Sequence, residues 1–93
     1  MLFMVVEHIR DSKAVYNRLR EKGRTLPEGL RYLGSWVGAD LNRCFQLMNC
    51  ADVSLIQKWV IQWQGLVDFE IVPVAESEQT AKAIEPFLHL PMQ

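Results

Sequence analysis

Two adjacent residues near the start of the chain, Glu7 and His8, are the first that could do acid–base chemistry. They close an apolar run that reads as a buried strand. An imidazole beside a carboxylate can serve as a general base with a pKa near neutrality. The simpler interpretation is a strand-end histidine bonded to backbone or water. No nucleophile lies at a known spacing, so no catalytic residue is assigned.

Gln46 and Glu70 are polar residues within otherwise apolar strands. A buried carboxylate needs a cation, a hydrogen-bond donor or water, and Arg31 or Arg43 could supply the cation. A salt bridge or an edge-strand glutamate facing water explains Glu70 equally simply. The alternative is a mostly apolar cavity with a few directed polar contacts. For that cavity the predicted ligand-binding residues are His8, Arg31, Trp36, Gln46 and Glu70.

The remaining reactive residue types indicate no cofactor and no metal. Trp59 and Trp63 are one helical turn apart, a spacing typical of core. Cys44 and Cys50 lie six residues apart in one predicted strand, about 20 Å and beyond disulfide reach. Free thiols without an export signal favour the cytoplasm. With the two histidines, His8 and His89, they match no metal-ligand spacing. Phosphate-loop, nucleophile-elbow and zinc-protease motifs are missing from the sequence.

The strands and helices that position these residues can be predicted from the periodicity of apolar residues along the chain. Strands are predicted at residues 2–6, 30–37, 43–50 and 67–75, and helices at residues 13–22 and after Asp52. Asp11-Ser12 and Asp52 can cap the helices, and Gly23 and Gly65 can end them. Ser77 should cap a weaker third helix that Pro86 terminates.

The order β-α-β-β-α-β matches the ferredoxin-like fold, followed by an extra helix. Right-handed crossovers predict an antiparallel sheet of strand order 4-1-3-2, with the two most apolar strands central. Pro73 and Gly34 then fall on opposite edges. The 93 residues suffice for one α+β domain, with a core at 1–75 and a helix and tail at 76–93.

Two helices can cover only one face of such a sheet, yet its central strands have apolar residues on both. Leaving the second face in water would expose an unusually large patch. The third helix could cover part of it, but a second sheet is the better cover, which predicts a homodimer of the dimeric α/β-barrel type. We assign Phe45 to the helix-covered side. Met48, which points the other way, then becomes a test position for the dimer.

Other partner classes fit poorly. The net charge is −1, far from the strong basicity of nucleic-acid binders. RNA-recognition domains share this topology, but the third strand offers one aromatic, on the side assigned to the helices. The first apolar run of six residues cannot span a bilayer, which needs about 20. We therefore predict neither a nucleic-acid nor a membrane partner.

Arg-Cys-Phe-Gln-Leu-Met at residues 43–48 is an unusual stretch, and residues 1–7, 23–30, 35–37 and 69–74 are also distinctive. Together these stretches, spread over about residues 1–75, resemble the bacterial domain-of-unknown-function family 3303, and residues 43–48 are the most specific match. The resemblance implies a small stand-alone domain of the dimeric α/β-barrel kind. It implies no activity and no site residues.

Three functional hypotheses follow. The first is a dimeric domain that binds a small organic molecule, in a cavity between sheet and helices or at the dimer face. The second is a cofactor-free enzyme of the monooxygenase or isomerase kind, which requires His8 or Glu70 to point into a closed cavity and rests on fold analogy. The third is a structural or regulatory interaction module, which predicts no cavity large enough for a ligand.

Overall fold

The computed structural model describes residues 1–88, and these form seven elements in the predicted order. The element bounds are β1 Leu2–Ile9, α1 Ser12–Lys22, β2 Arg31–Val37, β3 Arg43–Asn49, α2 Val53–Trp63, β4 Val67–Val74 and α3 Ser77–Leu88. The α+β, ferredoxin-like fold class is thereby confirmed, with the extra helix after β4. The tail beyond residue 88, which includes His89, lies outside the described residues.

The first two helices begin and end where local chemistry requires. Asp11 accepts a hydrogen bond from the Ala14 amide at 3.1 Å, and Asp52 accepts one from the Ser54 amide at 2.9 Å. Both bonds satisfy amides that lack a partner at a helix N-terminus. Gly23 ends α1 at φ 69°, a left-handed conformation that glycine adopts without steric cost.

The four strands form one antiparallel sheet of order β2-β3-β1-β4, as predicted. The central β1 is paired along its length with β3 on one side and β4 on the other. In the pairing with β3, Phe3 lies opposite Met48 and Glu7 lies opposite Cys44. Pro73 lies on the β4 edge, where its missing N–H costs no ladder bond. The register between β2 and β3 shifts between Tyr32 and Gly34, which makes an irregularity in the other edge strand.

One face of the sheet packs against α1 and α2 and holds the core. From β1 and β3 it receives Phe3, Val5 and Met48, which are at most 3 % exposed. The helices contribute Ile56, Trp59 and Trp63 to the same cluster. The two Trp side chains are thus core residues, as their spacing predicted, and Cys44 and Cys50 are buried and free.

The assignment of Phe45 to the helix-covered side was wrong. Met48 is fully buried under the helices, and the strict alternation of β3 therefore turns Phe45 and Leu47 to the opposite face. Met48 is consequently no position for testing a dimer. One premise of the comparison with RNA-recognition domains, an aromatic hidden beneath the helices, falls with this assignment.

The face opposite the helices, called the open face below, is apolar at its centre. Leu2, Met4 and Val6 of β1 and Phe45 and Leu47 of β3 are all partly exposed there. The edge strands add Trp36 and Val72, which are 59 % and 39 % exposed. Within residues 1–88, nothing covers this surface.

The third helix, α3, does not cover the open face, although the sequence allowed that it could cover part of it. It spans 12 residues without one buried side chain. It runs through Pro86 to Leu88, so the prediction that Pro86 ends the helix was also wrong. The molecule measures 59 × 31 × 18 Å and its radius of gyration is 16.9 Å, whereas a compact chain of this length has about 12 Å. This elongated shape is consistent with a helix that buries nothing.

Candidate functional site

A pocket of about 210 Å³ opens between the sheet and the two packed helices. Its walls come from α1, α2 and the ends of β1, β2 and β3 that lie farthest from Met1. Most of the wall is apolar, contributed by Ile9, Val15, Leu19, Val37, Trp59 and Trp63. The volume exceeds the roughly 150 Å³ that holds a benzene molecule and is below the roughly 300 Å³ of drug-sized pockets. The space therefore suits a molecule of one or two rings.

Three polar side chains from the central strands lie together in this pocket: Glu7 of β1 and Cys44 and Gln46 of β3. Glu7 is directly opposite Cys44 in the ladder, and Gln46 is one side-chain pair further along the same face. Glu7 and Gln46 are each only 7 % exposed. The pairing register of β1 and β3 thus places these three polar side chains side by side in a largely apolar cavity.

Burial is the main influence on the Glu7 carboxyl group and raises its pKa above the ordinary value. Hydrogen bonds from the Gln46 and Cys44 side chains and the positive charge of Arg24 oppose this shift without cancelling it. The folded protein therefore holds the Glu7 proton to higher pH than the unfolded chain. The resulting stability is full below the ordinary carboxyl pKa and is lost as pH rises through the raised one.

The same surroundings raise the pKa of the Cys44 thiol to about 11, through burial first and the nearby Glu7 charge second. Cys44 is therefore a thiol at neutral pH and can donate a weak hydrogen bond to Glu7. It cannot act as an activated nucleophile, because thiolate is the reactive form.

We expect Cys44 to alkylate slowly. Against a thiol at the ordinary value of 9.0, the thiolate fraction of Cys44 at pH 8 is about 100-fold lower. The measurement is the iodoacetamide rate at Cys44, read by peptide mass spectrometry in native and urea-unfolded protein. Glu7→Gln should accelerate the native reaction, because it removes a charge that raises the thiol pKa. A native rate equal to the unfolded one would contradict the burial and charge described for Cys44.

The loop after α1 fixes the two indoles of the pocket wall. Trp59 donates from Nε1 to the Arg24 carbonyl oxygen at 2.9 Å, and Trp63 donates from Nε1 to Thr25 Oγ1 at 3.1 Å. The guanidinium of Arg24 lies 3.9 Å from the centre of the Tyr32 ring, a cation–π contact that holds the positive charge beside the pocket. The indole N–H groups of Trp59 and Trp63 are thus both already hydrogen-bonded to acceptors of the protein.

Only Gln46, among the residues predicted to bind a ligand, lines this pocket. His8, Trp36 and Glu70 lie on the open face, and Arg31 begins β2 as an exposed residue. His8 Nε2 is 3.8 Å from Glu70 Oε1, and their side chains are 49 % and 63 % exposed. The structure thus brings His8 and Glu70 together, apart from Gln46 and in solvent rather than in a closed cavity.

Glu7, Arg24 and Cys44 are pocket residues that sequence reasoning did not select. A signal for Glu7 was present, since it alternates with Phe3 and Val5 on one face of β1. Because His8 follows Glu7 directly, the sequence instead suggested the two residues as an acid–base pair. Neighbours in a strand point to opposite faces, so these two side chains cannot share a pocket.

Two other kinds of site can be assessed over the described part of the chain. Among residues 1–88, no group of three or more His, Cys, Asp or Glu side chains is placed to hold a metal ion. Within the same span, no helix has the length and apolar character needed to cross a membrane.

The fold and its pocket together define a small ferredoxin-like α+β domain with a cavity between sheet and helices. Residues 1–88 match the family described as Domain of unknown function (DUF3303), and the chain belongs to that family. The resemblance noted over residues 1–75 is thus confirmed and extends through α3. No curated protein and no solved structure matches the chain.

Proposed function

We propose that this protein is a homodimeric domain, cytoplasmic in view of its two free cysteines, that binds a small organic molecule in the pocket. The observation that supports ligand binding concerns the side-chain oxygen of Gln46. Gln46 Oε1 is buried and has no hydrogen-bond partner within residues 1–88. A buried acceptor left unpaired costs about 1–3 kcal/mol, which a bound donor would recover. An interaction module without a ligand offers no reason for such an acceptor inside a cavity of about 210 Å³.

The open face supports the homodimer. Four strands of seven or eight residues make a footprint of roughly 450 Å², and its centre is apolar. Each partner in a standard interface buries about 800 Å². The missing area is available on α3, where Ile84, Phe87 and Leu88 are 45 %, 70 % and 65 % exposed. A second copy can cover both surfaces at once, because a two-fold axis gives each sheet and each α3 the same neighbours.

A cofactor-free enzyme is the second candidate, and Glu7 is the observation that favours it. The hypothesis asked for His8 or Glu70 in a closed cavity, and both are on the open face. Glu7 is a buried carboxyl in the pocket whose raised pKa suits a general base. Glu7→Gln distinguishes the candidates, because it keeps the shape of the site but removes the proton acceptor. Binding of a ring compound in the apolar part of the pocket should survive that substitution, whereas turnover would not.

Indole is a suitable first probe for ligand binding because it has two fused rings and one N–H donor. We expect it to bind with a Kd of about 1 mM or tighter, equivalent to about 4 kcal/mol. The readout is the set of indole N–H resonances of the protein in ¹H–¹⁵N NMR spectra. Those of Trp59 and Trp63, which line the pocket, should shift, while that of Trp36 on the open face should not.

Val37→Phe provides the variant for this experiment, since Val37 lies at the pocket wall and is 44 % exposed on an edge strand. The larger side chain should narrow the cavity and weaken indole binding about tenfold. Val53→Phe is the matched control, because Val53 is 45 % exposed and outside the pocket. Trp59 and Trp63 resonances that stay unchanged at indole concentrations well above the expected Kd would refute the proposal.

A further inference from the structure

The pocket offers acceptors to a ligand at its polar end. Glu7 brings carboxyl oxygens, and Gln46 brings the unpartnered Oε1 on a side chain only 7 % exposed. The two indole donors of the wall are engaged with the loop after α1, at Arg24 and Thr25. The Ser35 hydroxyl is 2.6 Å from the Tyr32 hydroxyl and shares a hydrogen bond with it. A ligand that satisfies Gln46 Oε1 must therefore supply a donor.

The charges beside the polar end exclude a strongly charged ligand. The Arg24 guanidinium interacts electrostatically with both Glu7 and Cys44, and the Arg18 guanidinium lies 4.8 Å from the centre of the Trp63 ring. A cation would be repelled by these arginines, and an anion would meet the Glu7 carboxylate in a poorly solvated site. The balance of charge favours a neutral molecule.

A hydroxyl group suits the site better than an N–H group does. A hydroxyl donates one hydrogen bond and also accepts, whereas an indole-type N–H only donates. Donation can go to Gln46 Oε1 or to Glu7. The hydroxyl oxygen can then accept from the Arg24 guanidinium or the Tyr16 hydroxyl, both of which line the pocket.

We infer that the natural ligand is a neutral molecule of one or two rings that presents a hydroxyl group to Gln46 and Glu7. The rings occupy the apolar part of the 210 Å³ cavity, between the α1 side chains Val15 and Leu19 and the two indoles. This inference rests on the proposed function and adds the chemical class of the ligand to it.

The test compares four naphthalene derivatives with the same rings: 2-naphthol, 2-methoxynaphthalene, 2-naphthoate and 2-naphthylmethylammonium. The methyl ether keeps the oxygen and loses only the donor. One hydrogen bond of about 1.4 kcal/mol makes 2-naphthol bind about tenfold more tightly than the ether. The two ions should bind more weakly than 2-naphthol. Binding is measured through the Trp59 and Trp63 indole resonances, with Trp36 as the internal control.

Gln46→Met removes the acceptor and keeps a side chain of similar length. It should reduce the preference for 2-naphthol over the ether to within about twofold, while affinity for the ether stays close to wild type. A second measurement needs no variant. The Glu7 carboxyl gains its negative charge as pH rises through its raised pKa. An ionised Glu7 accepts more strongly, so the naphthol preference should rise with pH.

The outcomes separate the inference from the proposed function. Equal binding of 2-naphthol and its ether, or tighter binding of either ion, would overturn the ligand class and leave a binding pocket in place. Failure of all four probes to shift the Trp59 and Trp63 resonances would overturn the proposed function itself. A naphthol preference that persists in Gln46→Met and is flat with pH would remove Gln46 and Glu7 from recognition.

Discussion

Leu47→Lys should halve the mass of the protein in solution, from twice 10.8 kDa to the 10.8 kDa of one chain. Leu47 lies at the centre of the open face, paired with Met4 of β1 on one side and Gly34 of β2 on the other. In the proposed dimer this position is desolvated by the partner sheet. A lysine there must either lose its hydration or keep the sheets apart.

The expected effect is large because a two-fold interface contains each residue twice. A central interface position is worth about 2 kcal/mol, so two copies weaken the dimer by about 4 kcal/mol, or roughly a thousandfold in Kd. Sedimentation equilibrium across a concentration series measures this directly. The circular dichroism spectrum should stay that of the folded wild-type protein, because Leu47 is outside the core cluster.

Ile61→Lys is the matched control, since Ile61 is 65 % exposed on the helix side of the molecule. It should leave the dimer intact. A wild-type protein that stays monomeric at high concentration would refute the homodimer. A Leu47→Lys protein that remains dimeric would place the interface elsewhere, for example on α3 alone.

Met48→Lys, one residue further along β3, should instead prevent folding. Met48 is 0 % exposed and lies in the core with Phe3, Ile56 and Trp59. An unpaired ammonium there costs several kcal/mol, and the lost methionine contacts add to that cost. Since a domain of this size is stable by only about 5–10 kcal/mol, most or all of the folding free energy would be lost.

The measurement is thermal and urea unfolding followed by circular dichroism. Met48→Leu is the control, because a swap of similar volume in a core costs less than about 1.5 kcal/mol. A folded, monomeric Met48→Lys protein would mean that residue 48 faces the partner and that the two faces of β3 have been interchanged. Together, the Leu47 and Met48 lysine variants separate assembly from folding with one substitution at adjacent positions.

Element order, strand order and the edge positions of Pro73 and Gly34 were predictable because they depend on short-range signals. Apolar runs, an Asp before each of α1 and α2, and Gly23 after α1 act over a few residues. Topology then followed from the handedness of crossovers. Pro86 was misjudged by the same kind of reasoning, since α3 continues through it to Leu88 although a proline removes one i→i−4 backbone hydrogen bond.

The orientation of β3 could not be predicted in the same way. Its alternation separates Phe45 and Leu47 from Cys44, Gln46 and Met48, but both sets include apolar side chains. Period-two patterning states which residues share a face without stating which face the helices cover. That choice depends on how Ile56, Trp59 and Trp63 of α2 pack against the sheet. Composition alone made Phe45 the better core residue, and packing selected Met48.

The sequence by itself determined the elements, their order in the sheet and the excess of apolar surface over what two helices cover. Only the tertiary structure decided the pocket. Glu7, Gln46 and Arg24 are remote in sequence and meet because β1 and β3 adopt one register and the loop after α1 lies over their ends. A one-residue slip of that register would move Gln46 away from Glu7 and turn it to the open face. Local propensities do not contain that information, because register is set by packing across the whole sheet.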